Sequence, residues 1–139
     1  MIWKVKPTVE AIHSLGDKSM GDHLGIEITE IGDDFITARM PVNEKTKQPY
    51  GILHGGASCV LAETLGSVAG AFCVDFPAQI VVGLEINANH LRPATNGFVI
   101  GTTRPIHLGR TTQVWDIKIT NEKGDLVCIS RLTLAVKNV

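Results

Sequence analysis

At 139 residues the chain is long enough for one domain, residues 1–139, with a sizeable core. Its 44% hydrophobic and 19% charged content suits a globular protein and excludes a disordered one. A net charge of −1, without any run of lysines or arginines, argues against nucleic acid, whose phosphates need a basic face.

The opening residues, Met1 to Pro7, hold no continuous apolar stretch and so do not read as a secretory signal. Thr8 to Leu15 follows a proline, carries Val9, Ile12 and Leu15 at helical spacing, and stops at Gly16, which predicts a short amphipathic helix. Asp17 to Asp22 is polar and is expected to be irregular. His23 to Ile31 alternates apolar and polar residues as a strand. Gly32-Asp33-Asp34 turns it back into a second strand, Phe35 to Val42. A polar loop, Asn43 to Lys47, leads to Gln48-Pro49-Tyr50-Gly51-Ile52-Leu53-His54-Gly55-Gly56 and then to an apolar helix over Ala57 to Val74. That helix is apolar on every side apart from Glu63, Thr64 and Ser67, the pattern of a helix buried within a domain. Its length approaches that of a membrane span, but a mid-helix carboxylate and the lack of flanking cationic anchors favour a buried helix in a protein without a membrane partner.

Four strand-like runs complete the chain: Ile80 to His90, Phe98 to His107, Thr112 to Asn121, and Leu126 to Val136. Trp115, Ile117 and Ile119 alternate with Asp116, Lys118 and Thr120, the clearest period-two signal present. Asn121 to Asp125 reads as a hairpin turn, with Gly124 free to take a positive backbone angle. The short connections predict antiparallel pairing. One curved sheet wrapped around one long helix satisfies every apolar face, which makes the fold class α+β.

Three cysteines, Cys59, Cys73 and Cys128, show no C-x-x-C spacing and read as small buried hydrophobes in a reducing cytoplasm. The five histidines show no metal-binding spacing, and there is no G-x-S-x-G elbow. Neither a metal nor a cofactor is expected. Glu63 is the group that asks for an explanation, because an isolated carboxylate in an apolar helix is costly. It is either paired or exposed for structural reasons, or it is functional.

The run from Gln48 to Ala57, the segment Ala62-Glu63-Thr64-Leu65-Gly66-Ser67, the segment Val82 to Arg92, and Ile106-His107-Leu108-Gly109-Arg110 together resemble the hotdog-fold acyl-CoA thioesterases. The resemblance extends over nearly the whole chain. Within that superfamily the likeness is to small bacterial hydrolases of aromatic acyl-CoA, the group of the dihydroxynaphthoyl-CoA hydrolase of menaquinone synthesis and the enterobactin proofreading thioesterase. It implies a hotdog fold, an acyl-CoA substrate and hydrolysis by water. Glu63 would then act as general base or as nucleophile. Gly55 would offer its N–H to the thioester oxygen at a helix N-terminus, with Gln48 as a second donor and His54 in support. Taken alone, Gly55 is equally a turn residue, Gln48 an ordinary loop amide and His54 a cap. Ser67, at i+4 from Glu63, shares its face and would hold the carboxylate or a water, or else bond back to its own helix. For coenzyme A, the resemblance points to Gly83, to His90-Leu91-Arg92-Pro93, and to His107-Leu108-Gly109-Arg110-Thr111-Thr112; the two arginines are always-charged forks suited to phosphate.

Eight positions separate Gly55 from Glu63, about 12 Å along a helix. One thioester carbonyl cannot touch both in a single chain. A homodimer with shared sites is therefore expected, and the resemblance implies that dimers pair into a homotetramer. Two other functions fit less well. A hotdog dehydratase generally relies on a catalytic histidine with a carboxylate partner, where this helix offers a lone glutamate. A non-catalytic acyl-CoA sensor would have no use for that glutamate.

Overall fold

A computed structural model describes all residues, Met1–Val139. Its helices are α1 (Val9–Leu15), α2 (Met20–His23) and α3 (Gly55–Ala71). Its strands are β1 (Glu27–Ile31), β2 (Ile36–Pro41), β3 (Gln79–His90), β4 (Phe98–Leu108), β5 (Thr112–Thr120) and β6 (Leu126–Asn138). The six strands form one antiparallel sheet in the order β1-β2-β4-β5-β6-β3, and α3 lies across it.

The period-two run of β5 does what its pattern predicts. Trp115, Ile117 and Ile119 are fully buried, and Asp116 and Lys118 face away. With Leu132 and Leu134 of β6, Val99 of β4, and Ile36, Ala38 and Met40 of β2, they make the floor on which α3 sits. Burying each such aliphatic side chain stabilises the fold by about 1.5–3 kcal/mol. The helix contributes Leu61, Ala62, Leu65 and Ala69, all wholly buried.

Glycines set how closely helix and sheet approach. A Cβ on Gly66 would lie 2.5 Å from Leu132 Cδ2, and one on Gly70 would lie 2.5 Å from Leu134 Cδ1. Beyond Gly70 the helix is tied to the sheet by a buried polar chain. Trp115 Nε1 donates to Gln113 Oε1 at 2.9 Å, and Gln113 Nε2 donates to the Gly70 carbonyl at 3.4 Å. Gln113 is thereby satisfied on both ends of its amide, as burial requires.

Several expectations change. The long helix begins at Gly55, two residues before the predicted start, and ends at Ala71 rather than Val74. Phe72 closes it by donating to the Val68 and Gly70 carbonyls, while its own carbonyl accepts from Lys4 N at 2.8 Å. The segment predicted to be irregular contains α2, whose N-cap Ser19 accepts from Asp22 N at 3.3 Å. His23 belongs to that helix, so β1 starts at Glu27 rather than His23. Nor is α3 covered on every side. The sheet shields one face and leaves Val60, Glu63, Thr64, Ser67 and Val68 half-buried, with Gly56 and Ala71 exposed. Of the cysteines only Cys128 is fully buried; Cys59 and Cys73 are partly so. Gly124 has the positive φ, 88°, expected in its turn. No helix is long and apolar enough to cross a membrane.

Candidate active site

The N-terminus of α3 is built by the loop before it. His54 is the N-cap: its Nδ1 accepts from Gly56 N at 2.7 Å, satisfying one of the free N–H groups of the first turn. With Nδ1 accepting, a neutral ring carries its proton on Nε2. Gln48 is fixed in the same loop, its side-chain amide oxygen, Oε1, accepting from Tyr50 N. Its backbone N–H reaches Ile52 O at 2.8 Å, and Gly51, with φ 82°, makes the turn between them. With the amide oxygen engaged, the Gln48 NH2 is the end left to donate outward.

His90, at the end of β3, lies against Gly55. A Cβ on residue 55 would stand 2.7 Å from His90 Nε2, so only glycine lets the ring and the helix start come this close. Gln48, Gly55, Ser58, His90, Arg92 and Pro93 line a cavity of about 430 Å³, together with Leu91. Arg92 donates from Nη1 to the Leu126 carbonyl at 2.8 Å, which orients the guanidinium at the rim. Ser58 is 1% exposed and was not singled out from the sequence; its place three residues into the glycine-led helix was the available clue.

Glu63 stands on the half-buried face of α3, and its carboxylate reaches the edge strand. Oε2 lies 2.6 Å from where a Cβ on Gly83 would be. Gly83 thus leaves a cradle that the carboxylate fills. The same carboxylate, after burial, helps to raise the pKa of Cys59, one turn earlier. Ser67, one turn later, opens onto a larger cavity of about 620 Å³ beneath α1 and α2.

The two segments assigned to coenzyme A do not meet within one chain. His90 pairs with Cys128 of β6, whereas Thr112 pairs with Ala135. Seven residues of strand separate those partners, about 23 Å at a strand's rise. The β4–β5 turn, closed by Gly109 N donating to Thr112 O at 2.8 Å, therefore sits at the end of the sheet nearer Gly83. His107 packs over that turn, its Nε2 2.5 Å from the Cβ position of Gly109, and Arg110 is exposed at the tip. The candidate residues fall into two groups at opposite ends of the sheet. One holds Gln48, His54, Gly55 and His90 to Pro93. The other holds Glu63, Ser67, Gly83 and the turn from His107 to Thr112.

Comparison with known proteins places this arrangement. The Thioesterase superfamily matches over residues 50–128. The chain is 56% identical over 136 residues to the 1,4-dihydroxy-2-naphthoyl-CoA hydrolase of Escherichia coli, covering 98% of this chain and 99% of that one. It is 50% identical over 136 residues to a proofreading thioesterase of Cronobacter turicensis, covering 98% of each. A crystal structure of a thioesterase from Haemophilus influenzae superposes with a TM-score of 0.96 at 52% identity, covering 99% of this chain and 96% of that one. The six-stranded sheet, the single long helix and the sequence relationship agree: the chain belongs to the thioesterase superfamily and is a thioester hydrolase of the hotdog fold.

Proposed function

We propose that the chain hydrolyses acyl-CoA thioesters with an aromatic or mid-sized acyl group, and that Glu63 drives the reaction. The observation that carries this reading is a carboxylate held over Gly83 on an otherwise uncharged helix whose free N-terminus begins at a glycine. The thioester carbonyl is placed against the Gly55 N–H, with the Gln48 NH2 as a second donor. As water attacks the carbonyl carbon, charge moves onto that oxygen, where the two donors and the positive end of the helix stabilise it. Glu63 takes the proton from the water. The tetrahedral intermediate then collapses, the C–S bond breaks, and the leaving thiolate takes up a proton as the acid departs. If Glu63 attacks directly, the same oxyanion forms and water then cleaves the resulting anhydride. The relative from Escherichia coli is named for a bicyclic aromatic thioester, and 1,4-dihydroxy-2-naphthoyl-CoA is accordingly the first substrate to try.

The active unit in this reading is a dimer. β3 is an edge strand of 12 residues with Val82 and Leu84 exposed at 38% and 60%, a long edge with unpaired backbone groups of the kind that proteins cover. Pairing β3 with its copy about a twofold axis extends the sheet. It also brings one end of each chain to the opposite end of the other, so that Gly55 of one protomer faces the partner subunit's Glu63. The coenzyme is then shared between His90 to Pro93 of one chain and His107 to Thr112 of its partner.

Thiol release from benzoyl-CoA and 1,4-dihydroxy-2-naphthoyl-CoA tests the reading, with Glu63→Ala in parallel. Loss of about 10²–10⁴-fold in kcat, with the oligomer intact, is expected for removal of a general base. Tight CoA-ester binding without thiol release by the unaltered protein would make it a binding module instead.

A further inference from the structure

We infer that the gap beside Gly55, where residue 55 lacks a side chain, receives the leaving sulfur, with the Ser58 hydroxyl and the His90 Nε2–H as its two donors. Such a site serves only the thioester hydrolysis proposed above, in which the departing sulfur otherwise has no partner. The start of α3 offers two directions of approach. Of its first four N–H groups, that of Gly56 donates to His54 Nδ1 at 2.7 Å, and those of Ala57 and Ser58 donate to the His54 carbonyl at 3.0 and 3.3 Å. The Gly55 N–H is left open, and it points off the end of the helix. His90 approaches from the side instead: its Nε2 lies 2.7 Å from where a Cβ on residue 55 would be. Ser58 stands one turn further on, and a helical side chain leans back over the turn before it, so its hydroxyl borders the same gap. Ser58 is 1% exposed and lines the cavity that Gly55 and His90 also line. No group of the chain hydrogen-bonds to that hydroxyl or to either nitrogen of the His90 ring. A hydroxyl so deeply buried without a partner is rare in a folded protein, and its partner comes from what enters the cavity.

A thioester carbonyl carbon bears sulfur on one side and the acyl carbon on the other. With the oxygen on the Gly55 N–H, one of the two turns toward the gap beside the helix. His90 to Pro93 hold the coenzyme in the proposed reaction, so sulfur is the atom that turns there. When the tetrahedral intermediate collapses, the C–S bond breaks and its electron pair moves to sulfur while the C=O bond re-forms. The Ser58 O–H and the His90 Nε2–H donate to the thiolate as its charge grows, and hydrogen bonds to a charged group are the stronger kind. The thiolate then takes its proton from water, which reaches the cavity at the exposed His90. A side chain at position 55 would fill this gap, which gives the glycine a second use besides its N–H.

The test compares two truncated esters, S-benzoyl-N-acetylcysteamine and S-benzoyl-4-nitrothiophenol, in the unaltered protein, Ser58→Ala and His90→Ala. Neither ester has a nucleotide, so lost nucleotide contacts do not register. The alkyl thiolate needs its charge stabilised, whereas the nitrophenyl thiolate spreads its charge into the ring. Each variant should lose about 10- to 100-fold in kcat/KM on the cysteamine ester, the effect of one hydrogen bond to a charged group, and no more than about threefold on the nitrophenyl ester. Equal losses on both esters, no loss on either, or a loss confined to benzoyl-CoA would overturn the assignment. If the unaltered protein cleaves benzoyl-CoA alone, inhibition at alkaline pH decides: its preference for CoA over desulfo-CoA should fall about tenfold in Ser58→Ala, and an unchanged preference would overturn the site. Thermal melts add a readout on the fold. Ser58→Ala should melt no lower than the unaltered protein, because the hydroxyl has no partner to lose, and a lower melting temperature would assign that hydroxyl to the fold instead. Absence of thiol release from benzoyl-CoA and from both truncated esters would remove the hydrolase reading, and the sulfur site with it.

Discussion

Substituting Gly83 by alanine puts one methyl group where the Glu63 carboxylate now rests. The added Cβ would be 2.6 Å from Oε2, and ordinary contact begins at 3.4 Å, so the oxygen must withdraw by the difference, 3.4 − 2.6 = 0.8 Å. The carboxylate is the free end of a flexible side chain, so the fold absorbs the change cheaply. Gly83 has no positive φ, and an alanine there should stabilise by about 0.4–1 kcal/mol through the unfolded chain. Catalysis is less tolerant: misplacement by about 1 Å costs about 10²-fold, and the 0.8 Å found here corresponds to about 40- to 100-fold in kcat. The assay is thiol release from benzoyl-CoA followed by a chromogenic disulfide, alongside a thermal melt. A second background isolates the cause. In Glu63→Asp the carboxylate is one methylene shorter and no longer meets residue 83, so adding Gly83→Ala there should change kcat by no more than about threefold, a coupling that a double-mutant cycle reads directly. Activity of Gly83→Ala close to that of the unaltered protein would refute the reasoning, as would an equal loss in both backgrounds.

Gly66→Val tests the helix–sheet contact, since its Cβ would enter the position of Leu132 Cδ2 at 2.5 Å. It should destabilise by about 1–3 kcal/mol, seen as a lower urea midpoint with an unchanged slope. The cysteines predict a pH limit. Burial pushes the Cys73 thiol up to about 11 from 9.0. Cys128 is pushed up to about 11 by burial, with a smaller contribution from Cys59. Above pH 9 the unfolded chain therefore loses thiol protons that the folded chain keeps, so their stabilisation is complete below about pH 9 and falls away as pH rises towards 11. Urea midpoints that stay level between pH 8 and 11 in the unaltered protein, or that decline just as far in Cys73→Ala/Cys128→Ala, would contradict this.

What the sequence made legible was the part governed by local period. The alternation of Trp115, Ile117 and Ile119 gave β5 and its inward face, and the long apolar run gave α3. Strand order is not a local property. Nothing in the run Gln79–His90 says that it pairs with the last strand and ends at the margin of the sheet, because that depends on which partners remain after β4, β5 and β6 have formed their hairpins. The short helix α2 escaped notice because its four residues include a glycine and carry no apolar period. The usable signal was Ser19 three residues before Asp22, a cap whose hydroxyl accepts that residue's N–H. At the site, the glycine-led helix start and the lone Glu63 were visible as chemistry. That Gly55 would face His90, at the end of β3, and Glu63 would face Gly83, seven residues back along the same strand, required the register of the sheet.

The position of Glu63 follows from how α3 is seated. Gly66 and Gly70 turn towards Leu132 and Leu134 of β6, and their missing side chains let the helix settle closely on that strand. Residue 63, three positions before Gly66, is turned about 60° from it around the axis, which aims it past β6 at the next strand. That strand is β3, in which Gly83 pairs with Leu134 and Ile86 pairs with Leu132. No strand of this chain lies beyond it. The carboxylate therefore stands at the margin of its own subunit, with a helix behind it, a glycine beneath it and an unpaired strand edge beside it. A charge placed there is open to whatever joins that edge. In the proposed dimer, that position is what would let Glu63 meet a carbonyl held by a second protomer.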